Sequence, residues 1–157
     1  MSLRHPTVAT VTAALRAAGV TGEPVVLPDA ATTAAAAAAQ LGCDVGAIAN
    51  SLLFVADGEP LLVLTSGAHR VDTAQVAGLI GVQEVHRADP DFVRRHTGMA
   101  IGGVAPVGHP RPIRTLVDVD LARWATVWAA AGHPHTVFPT TYDELLRITG
   151  GQSAEVD

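Results

Sequence analysis

The stretch IANSLLFVADGEPLLVLTSG, residues 48–67, constrains the fold more than any other. Two apolar runs flank Asp57-Gly58, a pair suited to the positive φ of a two-residue turn, so the segment is predicted to be an antiparallel hairpin. A hairpin alone is marginal in water and needs further strands or helices against its face. Asn50, Ser51, Asp57 and Glu59 interrupt the apolar run, which excludes a membrane-spanning helix of about 18 residues or more. The 157 residues fit one domain, 1–157, and the 48% of hydrophobic residues suffice for a sizeable core.

The elements around the hairpin follow from periodicity and punctuation. Val8, Val11 and Leu15 recur at helical spacing, predicting a helix from Pro6 to Ala18 with Gly19 as its stop. Val25 to Leu27 reads as a short strand. Thr32 or Thr33 caps a helix ending near Gly42, and Asp44 opens a turn over 45–49. Asp72 caps a helix to Ile80, and Val82 to Val85 reads as a strand. Asp89-Pro90 starts a helix that ends at Gly98. Strands are expected over 113–119, 126–130 and 135–138, with a turn at 121–124. Thr140 or Thr141 caps a last helix to Ile148, and residues 150–157 are expected to fray. About seven strands and five helices without a βαβ repeat predict an α+β (mixed α/β) fold. Its sheet should be mainly antiparallel, or a partly closed barrel, with the helices packed around it.

Composition narrows the function. The net charge of −5 argues against a broad DNA-binding face. All ten basic residues are arginine, so lysine chemistry and a P-loop are excluded. The single cysteine, Cys43, permits no internal disulfide, follows a helix C-terminus and is expected to be inert. With no apolar signal core at residues 1–6, the chain is expected to be cytoplasmic and away from membranes. His133-Pro134-His135 offers two imidazoles but no nearby third ligand, so no metal or cofactor is expected. His69, His86, His96 and His109 read as surface or capping residues, and Asp118 and Asp120 as strand-end caps. No serine or cysteine has the surroundings of a covalent nucleophile.

The most unusual local feature is GMAIGGVAPVGHPRP, residues 98–112. Gly102, Gly103 and Gly108 permit close backbone approach, and Pro106 stiffens the loop. The amides of Gly103, Val104 and Ala105 could align as a site for a carbonyl oxygen or oxyanion. A plain connector around a sheet edge is the alternative.

The blocks LPDAATTAAAAAAQLGCDVGAIANSLLF, LLVLTSGAHRVD, MAIGGVAPVGHP and HTVFPTTYDELLRITG occur in this order and span most of residues 6–150. Together they resemble the YbaK/EbsC family, which shares its fold with the editing domain inserted in bacterial prolyl-tRNA synthetases. The resemblance implies a free-standing aminoacyl-tRNA deacylase. Such proteins hydrolyse the ester of a mischarged tRNA, here tRNA-Pro, and an aminoacyl-tRNA synthetase is a further partner to expect. The family's G-x-x-x-P loop falls on Gly102, Gly103, Val104, Ala105 and Pro106, and its pocket histidine on His135. Its functional lysine falls on Asn50, beside Ser51, and these two residues would then hydrogen-bond the ribose or phosphate. A noncatalytic module that binds an aminoacyl end or a small ligand is the alternative, because an amide stands where the family has a charge.

Overall fold

The computed structural model describes residues 3–157. Its elements are α1 (Pro6–Ala17), β1 (Val25–Val26), α2 (Ala34–Leu41), β2 (Ile48–Ala56), β3 (Glu59–Ser66), α3 (Thr73–Ile80), β4 (Val85–Arg87), α4 (Pro90–Thr97), β5 (Arg114–Asp118), β6 (Val127–Ala130), β7 (Thr136–Thr140), α5 (Tyr142–Thr149) and β8 (Gln152–Ala154). Single 3-10 turns lie at Val45–Ala47 and Val119–Arg123. The helix starts follow from local chemistry. The side chains of Thr33, Asp72, Asp89 and Thr141 each accept the N–H three residues on, at 2.8–3.1 Å. Each cap of this kind contributes about 1 kcal/mol.

All eight strands among the described residues join one mixed sheet, in the order β1-β7-β6-β2-β3-β5-β8, with β4 also on β2. The β1–β7, β2–β3, β2–β4 and β6–β7 pairs are antiparallel. The β2–β6, β3–β5 and β5–β8 pairs are parallel. β1 and β8 end the sheet without meeting, so it is open and the partly closed barrel is not formed.

Two expectations are corrected. The tail does not fray: residues 152–154 pair with β5, and Val156 is wholly buried against the α3 side of the sheet. The strand expected over 82–85 lies at Val85–Arg87 instead. Asp57 accepts the N–H groups of Gln83 and Glu84 at 3.0 and 2.9 Å, which holds those residues in a turn and delays the strand.

Alternation along β2 sends Ala49 and Leu53 into the main core, with Val11, Leu15 and Phe138. Phe54 and Ala56 face a second cluster, with Val76, Ile80 and Val85. Among the described residues, no helix is long and apolar enough to cross a membrane.

Candidate functional site

The site begins at a gap in the sheet. On one side of β2, β3 pairs with the whole strand. On the other, β6 pairs only with Ile48 and Ala49, and β4 only with residues from Phe54 onward. The carbonyl of Ile48 accepts from Gly67 on the β3 side, whereas that of Leu53 accepts from Ala88 on the β4 side. By ladder alternation, the N–H and C=O of Ser51 therefore point into the gap, where no strand receives them. The Ser51 hydroxyl is also buried and has no partner among the described residues.

A cleft of about 650 Å³ opens along this gap. Its walls include Thr32, Thr33, Asn50, Ser51, Gly102 and Val104, with Arg70 and Arg87 supplying charge and His69 beside them. A small cavity of about 30 Å³ adjoins it and shares Thr32, Thr33, Asn50, Ser51, Gly102 and Val104. The carboxamide of Asn50 makes no hydrogen bond to any described residue.

The glycine loop folds back on itself more than its sequence suggests. Gly103 N–H donates to Ala100 O at 2.9 Å, and Ala105 N–H lies 3.3 Å from Met99 Sδ. Ala105 O lies 2.7 Å from His109 Nε2, which donates to it as a neutral imidazole. Burial lowers the His109 pKa and outweighs the opposing effect of that hydrogen bond. The amides of Gly103 and Ala105 are thus already used inside the loop. Those of Gly102 and Val104 have no partner among the described residues and border the cleft. Gly102 has φ +88°, a left-handed conformation that suits glycine. Gly103 sits against the backbone of His133 and the ring of Pro134.

Five residues expected at the site line neither cavity: Gly103 and Ala105, whose amides are spent inside the loop, and Pro106, Gly108 and His135. The His135 ring stacks on His133 with centroids 5.5 Å apart, and its Nδ1 lies 3.5 Å from Leu27 O. Pro134 and Thr136, its neighbours, face the small cavity instead. Pro106 is buried within the loop, and Gly108 packs against Val11 and Met99.

One cleft residue, His69, carries more than a surface role. Its Nδ1 lies 2.8 Å from Oδ2 of Asp118, which is 1% exposed. The same carboxylate oxygen accepts from Ser66 N–H at 2.9 Å, and Oδ1 accepts from Asp120 N–H at 3.0 Å. His69 Nε2 faces Asp120 and Asp157 at 3.5 and 3.9 Å. Partial burial disfavours the imidazolium. The hydrogen bond and charge of Asp118, with the charges of Asp120 and Asp157, more than offset it and raise the His69 pKa. A raised value makes this contribution to stability complete below the unfolded pKa of about 6.5 and lost as pH rises through the folded value. His69→Gln is therefore expected to flatten the loss of thermal stability as pH rises above the unfolded value of about 6.5. Melting curves across that range check it. An unchanged pH profile would contradict the clasp. Sequence reading missed this group because Asp118 is separated from His69 by nearly fifty residues and β5 alone brings them together.

A model of the aminoacyl-tRNA editing domain matches residues 28–148, and the chain belongs to that family. It is 32% identical over 114 residues to a proline–tRNA ligase of Nitratidesulfovibrio vulgaris (strain DP4), a match covering 66% of this chain and 20% of that one. The chain thus spans about a fifth of the length of that ligase. It is 30% identical to YwhH of Bacillus subtilis (strain 168), over 72% of both chains. A solved structure described as a candidate trans-editing enzyme for prolyl tRNA synthetase superposes with TM-score 0.91 and 40% identity, over 98% of each chain.

Proposed function

We propose that this chain hydrolyses the ester between a wrong amino acid and the 3′ end of a tRNA, with water as the attacking group. The observation that carries this reading is the set of unspent polar groups on one cleft: the Asn50 carboxamide, the Gly102 and Val104 amides, and Ser51. Two N–H groups without internal partners suit a carbonyl oxygen that becomes an oxyanion, and a single such donor contributes about 10²–10³ in rate. Water adds to the ester carbonyl and the C–O bond to the ribose breaks. The ribose oxygen leaves with one of the water's protons, the other passes to solvent, and the amino acid departs as its carboxylate. Asn50 hydrogen-bonds the terminal nucleotide, and Ser51 meets the aminoacyl group. The similarity to proline–tRNA ligases favours tRNA-Pro as the carrier, a prolyl-tRNA synthetase as the upstream partner and the cytoplasm as the compartment.

Titration with a 3′-amide-linked aminoacyl adenosine, which cannot be hydrolysed, tests the location. Amide signals of Ser51, Gly102 and Val104 and the Asn50 side-chain NH₂ are expected to shift first. Shifts confined to the separate cavity near Arg114, or none, would sink the proposal. The amide at Asn50 also supports a second reading, a noncatalytic binder of the aminoacyl end. That reading requires the same shifts with no ester hydrolysis.

Ser51 separates stability from activity. An unsatisfied buried hydroxyl costs about 1–3 kcal/mol, so Ser51→Ala is expected to raise the melting temperature by about 2–4 °C per kcal/mol regained. Ester hydrolysis is expected to fall by about tenfold, the share of one neutral hydrogen bond. Calorimetry with deacylation kinetics measures both. A variant that loses stability, or gains it at full activity, would remove Ser51 from the site.

A further inference from the structure

The cleft has one basic border. Among ten arginines, Arg16, Arg123 and Arg147 pair with carboxylates. Arg70, Arg87, Arg94 and Arg95 have no such partner among the described residues, although the chain carries a net charge of −5. Arg70 and Arg87 line the cleft, and so do Ala88 and Val93, which join β4 to the wall through α4. Arg94, Arg95 and His96 occupy the last turn of that helix. Two of the guanidinium groups rest on rings, Arg87 over Phe54 at 5.8 Å and Arg95 over Phe92 at 5.6 Å. A stacked guanidinium is ordered in advance while its N–H fork still faces outward, the geometry that suits phosphate.

We infer that the exposed face of β4 and α4, with Arg87, Arg94 and Arg95 continuing from Arg70 at the cleft, is the surface that docks the phosphate backbone of the tRNA acceptor stem. This rests on the proposed function, which puts the 3′ terminus in the cleft. A strand leaving the cleft past Ala88 and Val93 would pass the residues that flank them in sequence, Arg87 and Arg94. A favourable interaction with the helix dipole accounts for basic residues at the end of α4, but for neither Arg87 nor Arg70. Two carboxylates share the element: Asp89 caps the helix by accepting from Phe92 N–H, and Asp91 lies in the first turn, away from the basic end. Arg114 faces a different cavity, beside Asp57 and Glu59, and is outside the track.

The test is binding of fluorescent tRNA-Pro as a function of salt. Each phosphate contact contributes about 0.9 to the slope of log affinity against log salt on a duplex. Arg94→Gln/Arg95→Gln is expected to lower the slope by about 1.5–2 and the affinity at low salt by about 5- to 30-fold. Arg87→Gln, on β4, tests the track without touching the helix end and is expected to lower the slope by about 1. Arg123→Gln, already paired with Asp120, is expected to leave it unchanged. Affinity for the 3′-amide aminoacyl adenosine, which has no stem, is expected to stay the same in the double variant. An unchanged slope in both track variants, equal loss for the short analogue, or no tRNA binding by the wild type would overturn the inference. Salt-dependent binding without hydrolysis would defeat the deacylase reading and leave the docking surface standing.

Discussion

Gly103→Ala is expected to abolish most hydrolysis, by about 100-fold or more, while the chain still folds. A Cβ at this position would lie 2.7 Å from His133 Cα, 2.8 Å from His133 C and 2.8 Å from Pro134 Cδ. Backbone and a proline ring do not yield as a flexible side chain would, so the loop must move. It is tied to itself through Ala100, Met99 and His109, and the displacement passes to the Gly102 and Val104 amides. A misplacement of about 1 Å at a reacting centre costs about 10²-fold. Overpacking costs about 1–3 kcal/mol of stability. Gly108→Ala provides the contrast: its φ of +88° strains any side chain, but its neighbours are Val11 and Met99, away from the cleft. That variant is expected to lose stability and keep most activity. Values of kcat/KM and Tm for both variants decide the matter, and a fully active Gly103→Ala would mean that the loop does not hold the ester.

Asn50→Lys is expected to raise kcat/KM about 5- to 30-fold, because a charged hydrogen bond exceeds a neutral one by about 1–2 kcal/mol. The position suits the exchange: the carboxamide borders both cavities and makes no hydrogen bond to a described residue. Arg70 and Arg87 on the same cleft repel a third cation, which sets the gain toward the lower end of the range. The gain is expected to shrink with salt, as charge screening requires. A fall in hydrolysis instead would show that the neutral amide belongs to a differently tuned site.

The parts of the fold set by neighbours in sequence were legible. Asp57-Gly58 closes the hairpin, and Thr33, Asp72, Asp89 and Thr141 open the helices, since each acts within three residues. Distant partners hid the rest. β8 forms only because β5 offers an edge and the α3 cluster takes Val156. The same limit governs the site. Asn50 and Gly102 could be singled out from local signals. The isolation of Ser51, however, depends on where β6 and β4 stop along β2. The amides of Gly103 and Ala105 are consumed by Ala100 and Met99, which glycine and proline content cannot reveal. His135 precedes the strand and turns toward His133 and Leu27, while Thr136 next to it faces the small cavity.

The most direct measurement is the release of amino acid from a panel of mischarged tRNAs, tRNA-Pro first, with purified wild-type chain. Hydrolysis of at least one ester well above the buffer rate, lost in Gly103→Ala and raised in Asn50→Lys, is the expected result. Release at the buffer rate for every amino acid, by the wild type and by Asn50→Lys alike, would contradict it.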